Sequence, residues 1–177
     1  MARVVLVGFP GAGKTTVAKS LSRLLQYDCI DLDQAIEEYY HTSIPLFIHH
    51  FGEGVFRQCE NKILKDQLQY DNIVLSTGGG TPCFYNAMEL INSCAVSVYI
   101  KLSEQSLYTR LVRAKKKRPL LNSYKPEEIP IYIKNTLAER EPVYSKAHVI
   151  AKGESIKTRE LADHLRELIR NQEISGF

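Results

Sequence analysis

The sequence predicts an α/β domain whose parallel sheet is covered by helices on both faces. Short runs of β-branched and other apolar residues alternate along the chain with segments whose apolar residues recur at helical spacing. The apolar runs are continuous, which is typical of strands that are buried on both faces. The chain has 177 residues, of which 44% are hydrophobic and 24% charged. This composition is typical of a globular protein, and we expect a single domain over residues 1–177.

Five apolar runs predict the strands. They are Val4–Val7, Cys29–Leu32, Asn72–Ser76, Ala95–Ile100 and His148–Ala151, of which the second is the weakest. All five are short and bounded by polar residues or glycine, as expected of strands in a parallel sheet.

Helices are predicted between the strands. Two groups of apolar residues recur at helical spacing, namely Val17, Leu21, Leu24 and Leu25, and Leu161, Leu165, Leu168 and Ile169. Ser103 is expected to cap a further helix, and Thr158 the last one. Residues 33–69 are predicted to form a mostly helical insertion. Residues 115–130, which are rich in charge and proline, are predicted to form a lid, a surface loop that can close over a ligand.

Charge and cysteine content exclude several classes of protein. Lys and Arg total 23 and Asp and Glu total 20, and this net charge of +3 does not indicate a nucleic acid or membrane partner. The four cysteines have irregular spacings without a CxxC pair, which is typical neither of a disulfide framework nor of a zinc site. No apolar stretch has the length of a secretion signal or a membrane span, so we expect a cytoplasmic protein, and a monomer.

The strongest motif is the segment Gly8–Thr15, GFPGAGKT, which fits the phosphate-loop pattern G-x-x-x-x-G-K-[ST] and directly follows a predicted strand. Backbone N–H groups in such a loop, together with the helix N-terminus, bind phosphate oxygens. Lys14 would neutralise the β- and γ-phosphates, and the Thr15 hydroxyl would bind Mg²⁺. The residues expected to contact the nucleotide are Gly11, Ala12, Gly13, Lys14, Thr15 and Thr16. The alternative is a glycine-rich turn without a ligand.

Among nucleoside triphosphate-binding proteins, the remaining sequence favours a kinase. The Asn-Lys-x-Asp and Asp-x-x-Gly motifs of GTPases do not occur. The predicted strand Asn72–Ser76 runs into glycines, without the acidic residue that motor ATPases have at a strand end. The sequence therefore predicts a small-molecule or nucleotide kinase.

Two carboxylates follow the second predicted strand. On an extended segment, Asp31 and Asp33 would point to the same side. Asp31 would then suit Mg²⁺ and its waters, and Asp33 would suit an acceptor hydroxyl, as hydrogen-bond acceptor or as base. An ordinary turn in which Asp33 caps a helix beginning near Gln34 explains these residues equally well.

Two arginines and a glycine triplet suit an anionic acceptor. Arg57 follows aromatic residues, and Arg140 precedes Tyr144 in the segment REPVY. A planar guanidinium binds a carboxylate through two parallel hydrogen bonds, although a solvated ion pair is the more common fate of a single arginine. The triplet Gly78–Gly80 at a strand end would allow close approach of a small ligand, or would form a flexible turn.

A basic run extends from Arg110 to Arg118. Most of it is predicted to be a solvated helix end, and no interleaved aromatic residues indicate nucleic-acid binding. Arg118 is different because it precedes Pro119 at the start of the predicted lid. From there it would reach the phosphates after closure and stabilise phosphoryl transfer.

Together these motifs resemble the shikimate kinase family, whose members phosphorylate the 3-hydroxyl of shikimate. The resemblance covers nearly the whole chain, and the motifs follow the family's order: Gly8–Thr15, Asp31–Asp33, Phe51–Arg57, Gly78–Gly80, Arg118–Leu121, and Arg140 with Tyr144. It implies a five-stranded parallel sheet like that of nucleoside monophosphate kinases, with ATP and Mg²⁺ as cofactors and a small-molecule acceptor, shikimate.

The resemblance also implies a role for each site residue. Arg57 and Arg140 would bind the shikimate carboxylate, and Asp33 its hydroxyls. Thr15 would bind Mg²⁺ directly and Asp31 through water. The predicted catalytic residues are Lys14, Asp33 and Arg118, and the predicted substrate-binding residues are Asp33, Arg57, Gly78, Gly79, Gly80 and Arg140. The alternatives are a gluconate or nucleotide kinase of the same fold, and a nucleotide-dependent regulatory protein that contacts RNA.

Overall fold

The computed structural model describes residues 2–113, 125 and 127–174, with side chains up to residue 171. Its strands are β1 (Arg3–Val7), β2 (Asp28–Asp31), β3 (Ile73–Ser76), β4 (Val96–Lys101) and β5 (Val149–Lys152). They form one five-stranded sheet in the order β2-β3-β1-β4-β5, in which every pairing is parallel. All five predicted strands are confirmed, and their bounds differ from the predicted ones by at most one residue.

The helices are α1 (Lys14–Leu25), α2 (Leu32–Tyr40), α3 (Ile44–Gln67), α4 (Ala87–Cys94), α5 (Glu104–Arg113), α6 (Ile129–Tyr144) and α7 (Thr158–Ile174). The cap predicted at Ser103 is confirmed, because its Oγ accepts a hydrogen bond from the Ser106 N–H at 3.2 Å. The cap predicted at Thr158 is wrong, because Thr158 is the first residue of α7 and the Lys157 carbonyl already accepts the Leu161 N–H. Within the described part of the chain, none of the helices has the length and apolar character that crossing a membrane requires.

Each face of the sheet is covered by its own apolar cluster. Along β1, Val4 and Leu6 point into one cluster, which contains residues of α1, α5, α6 and α7. Val5 and Val7 point to the opposite face, into a cluster built by α2, α3, α4 and the end of α6. This alternation follows from the two-residue period of a strand. The predicted α/β class, with helices on both faces of the sheet, is confirmed.

The carboxyl ends of three neighbouring strands meet at one edge of the sheet. The register of β2, β3 and β1 places Asp31 beside Ser76, and Ser76 beside Leu6. The phosphate loop continues directly from β1, and the glycine triplet follows β3 after a single residue. Ligands of parallel α/β sheets bind at this edge, so the topology itself assembles the candidate site.

Two helices occupy the segment 33–69 that the sequence predicted to be mostly helical. The first, α2, begins immediately after β2. The second, α3, is kinked at Gly52, which has φ 82° and ψ 160°. Because φ values in this range favour glycine, the kink explains why glycine occurs inside an otherwise regular helix.

Candidate active site

The phosphate loop has a backbone that only glycine adopts readily. Gly8, Gly11 and Gly13 have φ values of 142°, 89° and 95°. A Cβ atom at Gly11 would also approach the Leu111 side chain to 2.9 Å. Both constraints explain the glycines at these positions, and they give the backbone the shape that presents N–H groups to an anion.

Lys14 begins α1 and is buried beneath the loop. Its Nζ donates hydrogen bonds to the carbonyl oxygens of Gly8 at 2.8 Å and Phe9 at 3.0 Å. These bonds hold the ammonium group against the backbone of the loop, the segment that the motif assigns to phosphate binding. Thr15 and Thr16 follow in the first turn of the same helix.

Arg110 also contacts the phosphate loop, which the sequence did not predict. Its Nη1 donates to the Ala12 carbonyl at 2.9 Å, and a Cβ atom at Gly13 would lie 3.1 Å from that nitrogen. Arg110 is exposed in the last turn of α5, as expected of a solvated helix end, and it contacts the loop in addition. The available signal was its place on α5 next to Leu111, which is buried against the loop.

The backbone around the two carboxylates differs from both sequence interpretations. Asp31 ends β2 and caps α2, since its carboxylate accepts a hydrogen bond from the Gln34 N–H at 3.3 Å. Asp33 lies in the first turn of α2, not on an extended segment and not at the cap. The helix begins at Leu32, so it starts two residues earlier than predicted.

Three oxygen-bearing side chains cluster at the strand ends beside Lys14. The Thr15 hydroxyl donates to Asp31 Oδ2 at 2.7 Å, and it lies 3.4 Å from the Ser76 hydroxyl. Hydroxyl and carboxylate oxygens are the hard donors that Mg²⁺ prefers, so this group of residues fits the predicted metal. Ser76 is buried and was missed by sequence reasoning. Its role could have been inferred because Ser76 is the last residue of β3 and pairs with Asp31.

The pKa of the Asp33 carboxyl group is raised above its ordinary value. Desolvation in the crowded cleft, followed by repulsion from Asp31, raises the pKa of Asp33 from 3.8 to about 6, although Lys14 acts in the opposite direction. Asp33 keeps a solvent-accessible face. A base whose pKa lies near neutrality is poised to accept a proton from a bound hydroxyl.

Arg57 on α3 is fixed by two carboxylates. Its Nη1 donates to Glu60 at 2.8 Å and its Nη2 to Glu53 at 3.0 Å. The guanidinium lies over the Phe84 ring, with 4.5 Å from Cζ to the ring centroid. Burial alone would lower the pKa of Arg57, but the charge and hydrogen bonds of Glu60 raise it above its ordinary value. The guanidinium is therefore permanently charged and held in one orientation.

Glu60 is itself fixed from a second side. It is 2% exposed, and its Oε1 accepts a hydrogen bond from the Thr81 hydroxyl at 2.7 Å. A buried carboxylate is tolerated when it is paired and hydrogen-bonded, and Arg57 and Thr81 satisfy its two oxygens. The sequence analysis did not identify Glu60, whose signal was its place one helical turn after Arg57.

The glycine triplet explains how the parts of the site approach one another. A Cβ atom would lie 2.8 Å from Asp33 Oδ1 at Gly78 and 2.6 Å from Arg57 Nη2 at Gly80, and at Gly79 it would overlap the Pro10 ring. Because glycine has no side chain, Asp33, Pro10 and Arg57 can lie close to the backbone of the triplet. The role of the triplet as a ligand contact stays a prediction.

Arg140 lies on α6, close to the same pocket. Burial raises the pKa of the Tyr144 phenol, and the nearby charge of Arg140 acts against that rise. Burial raises the pKa of the Cys83 thiol, and the charges of Arg140 and Arg57 both act against that rise. The two predicted carboxylate-binding arginines therefore converge on one neighbourhood. Arg118 and the lid residues 115–124 and 126 lie outside the described residues.

Comparison with known proteins identifies the family. The family model for shikimate kinase matches residues 10–170. The chain belongs to the shikimate kinase family. The shikimate kinase of Phocaeicola vulgatus is 39% identical over 159 residues, which cover 90% of this chain and 91% of that protein. The shikimate kinase of Parabacteroides distasonis is 40% identical over 158 residues, covering 89% and 91%.

Solved structures agree with the shikimate kinase assignment. The Bacteroides thetaiotaomicron shikimate kinase superposes with a TM-score of 0.88 at 35% identity, covering 96% of this chain and 98% of that chain. The Acinetobacter baumannii shikimate kinase in complex with shikimate gives a TM-score of 0.84 at 31% identity, covering 97% and 94%. A gluconokinase from Sinorhizobium meliloti has a TM-score of 0.66 at 16% identity and covers 99% and 98%, which shows a shared fold alone.

Proposed function

We propose that this protein transfers the γ-phosphoryl group of ATP to the 3-hydroxyl of shikimate, giving shikimate 3-phosphate and ADP. Membership in the shikimate kinase family supports this reaction, with ATP and Mg²⁺ as its cofactors. The observation that carries the proposal is the glycine triplet, whose successive residues contact Asp33, the phosphate loop at Pro10, and Arg57. A base, a phosphate site and a carboxylate-binding group thereby adjoin one short segment.

Arg57 and Arg140 are proposed to bind the carboxylate of shikimate. The fixed fork of Arg57 is already oriented by Glu53 and Glu60, so its binding of an anion costs little side-chain entropy. The Phe84 ring, which the guanidinium contacts, provides an apolar surface beside this charge. A small, hydroxylated carboxylate matches this combination of groups.

Asp33 is proposed to orient the acceptor hydroxyl and to accept its proton. The hydroxyl oxygen forms the new bond to the γ-phosphorus, while the bond from that phosphorus to the β,γ-bridging oxygen breaks and ADP leaves. The proton of the hydroxyl goes to the Asp33 carboxylate, whose pKa of about 6 allows it to be ionised at neutral pH and still basic.

Lys14 and the backbone of the phosphate loop are proposed to bind and neutralise the β- and γ-phosphates. Mg²⁺, which Thr15 and Asp31 would hold with Ser76 beside them, supplies further neutralisation of phosphate charge when bound. Arg118 is proposed to add a cation from the lid, although it lies outside the described residues. A cytoplasmic location also stays a proposal, and the four free cysteines support it.

The direct test is ADP release with ATP and Mg²⁺, in separate reactions with shikimate, gluconate, AMP, CMP and no acceptor. We expect turnover that depends on shikimate. Turnover that follows gluconate or a nucleotide would leave the phosphate site intact and contradict the acceptor assignment. Slow ATP hydrolysis that is indifferent to every acceptor would contradict the kinase proposal itself.

A further inference from the structure

Tyr144, the last residue of α6, connects two parts of the proposed acceptor pocket. Its side chain is fully buried, with 0% exposure, and its hydroxyl donates a hydrogen bond to the Gly79 carbonyl at 2.5 Å. Arg140 lies one helical turn earlier on α6, and residues at this spacing share a helix face. Its positive charge acts on the Tyr144 phenol and lowers its pKa, so the two groups lie close together.

The chemistry of Arg140, Tyr144 and Gly79 fixes which of these groups can donate a hydrogen bond and which can accept one. An arginine side chain has only donors and a carbonyl oxygen only accepts, whereas a phenol has one proton to donate. The Tyr144 hydroxyl therefore donates its proton to the Gly79 carbonyl, and toward the Arg140 guanidinium its oxygen can only accept. Burial raises the pKa of Tyr144 above its ordinary value, so the hydroxyl keeps that proton at neutral pH.

The Tyr144 hydroxyl adjoins groups on both sides of the pocket. Because the peptide unit is planar and trans, fixing the Gly79 carbonyl also directs the Gly80 N–H to the opposite side, away from Tyr144. Gly80 in turn packs against the Arg57 guanidinium. The Tyr144 hydroxyl thus lies between Arg140 and the segment that contacts Arg57.

We propose that Tyr144 is a positioning residue for the acceptor. Its hydroxyl holds the Arg140 guanidinium and the Gly79 peptide in one arrangement, so that the two arginines are correctly spaced before shikimate binds. This inference rests on the proposed function, since it assigns a role in binding the acceptor carboxylate. The proposal predicts no effect on nucleotide binding at the phosphate loop. A general structural role, in contrast, would impair the binding of both substrates.

The test compares Tyr144→Phe with Tyr99→Phe. The Tyr99 ring packs against Tyr144 at 5.2 Å and is also buried, so it is a matched control for loss of one hydroxyl from the same aromatic pair. We expect Tyr144→Phe to raise the KM for shikimate about 10-fold, as for loss of a hydrogen bond to a charged group, with the KM for ATP unchanged. Tyr99→Phe should change neither KM.

Three results would overturn the inference: an unchanged KM for shikimate in Tyr144→Phe, an equal rise in both KM values, or the same loss in Tyr99→Phe. A second variant tests whether Tyr144 acts through Arg140. In an Arg140→Ala background, Tyr144→Phe should lower kcat/KM for shikimate much less than about 10-fold, because interacting residues are not additive. A full additional loss would show that Tyr144 acts independently of Arg140.

The outcome is distinguishable from failure of the proposed function. That failure would appear in the wild-type protein, as ADP release that does not depend on shikimate. Failure of the positioning role would appear only in Tyr144→Phe, as wild-type kinetics in a protein that uses shikimate. Melting temperatures of all variants complete the comparison, since a purely structural effect would lower stability without separating the two KM values.

Discussion

The phosphate loop and the acceptor pocket adjoin each other but are built in opposite ways. The loop is one contiguous segment, and the bonds from Lys14 to Gly8 and Phe9 span only a few residues. The pocket draws Asp33 from α2, Arg57 from α3 and Arg140 from α6. Local backbone conformation thus encodes the loop, whereas tertiary packing encodes the pocket. Substitutions in the phosphate loop should therefore impair phosphoryl transfer, whereas substitutions in the acceptor pocket should impair binding of the acceptor.

The largest expected effect is in the phosphate loop. Lys14→Ala removes the buried ammonium group and should reduce kcat by at least about 10³-fold, because charge on the transferring phosphoryl group loses its main protein counter-charge. Lys19→Ala, on the exposed face of the same helix, is the matched control and should retain activity. Near-normal turnover of Lys14→Ala would refute the proposed use of the loop.

Asp33, where the two regions meet, should be the next most sensitive position. Asp33→Asn should lower kcat about 10²-fold or more by removing the base. In the wild-type protein, kcat/KM for shikimate should fall as the pH drops through about 6, the raised pKa of Asp33. A rate that is independent of pH in this range would show that Asp33 only orients the hydroxyl. Asp28→Asn, exposed on β2, is the control.

The same group makes a prediction about stability. Because the folded pKa of Asp33 is raised from 3.8 to about 6, the folded state binds more protons than the unfolded state between these values. Stability from this group is therefore present at low pH and is lost as the pH rises through about 6. Asp33→Asn should melt at a higher temperature than wild type near neutral pH, and this advantage should disappear at about pH 4.

Arg57 tests the pocket alone. Arg57→Ala should weaken shikimate binding by about 2–5 kcal/mol with little change in the KM for ATP. It also leaves the buried Glu60 carboxylate without its ion partner, so the free energy of unfolding should fall as well. Adding Glu60→Gln should recover stability without recovering binding. Full recovery of both by the double variant would show that Arg57 acts on the fold and not on the acceptor.

Gly80→Ala should produce a smaller effect in the same region. The added Cβ would lie 2.6 Å from Arg57 Nη2, so the guanidinium must shift. We expect a rise of about 10-fold in the KM for shikimate, in line with about 1–3 kcal/mol for an overpacked contact. An unchanged KM for shikimate would show that the orientation of Arg57 does not limit binding.

The smallest expected effect is a gain in stability. Gly54 lies in α3 with helical backbone angles and has no atom within 4 Å of an added Cβ. Gly54→Ala should therefore stabilise the fold by about 0.5–1 kcal/mol. Denaturant unfolding would measure this, and a loss of stability would indicate that α3 needs flexibility beyond its kink at Gly52.

The two regions also differ in how much the sequence predicts. The phosphate loop was predictable because its motif prescribes a local backbone shape. Glu60 and Ser76 were not, since their roles depend on partners brought together by the fold, such as Thr81 for Glu60 and Asp31 for Ser76. The residues Asp31 and Asp33 were identified although their backbone was misassigned, because one turn of α2 still brings their charges close enough to interact.

The carboxylates around Arg57 have a consequence for how an anionic acceptor arrives. Glu53 and Glu60 neutralise the guanidinium at contact distance, and Asp33 adds further negative charge nearby. Beyond a Debye length of about 8 Å the pocket therefore exerts little net attraction on an anion. We expect the association rate constant for shikimate to vary little with ionic strength. Discrimination in favour of a carboxylate then arises from slow dissociation and not from fast capture.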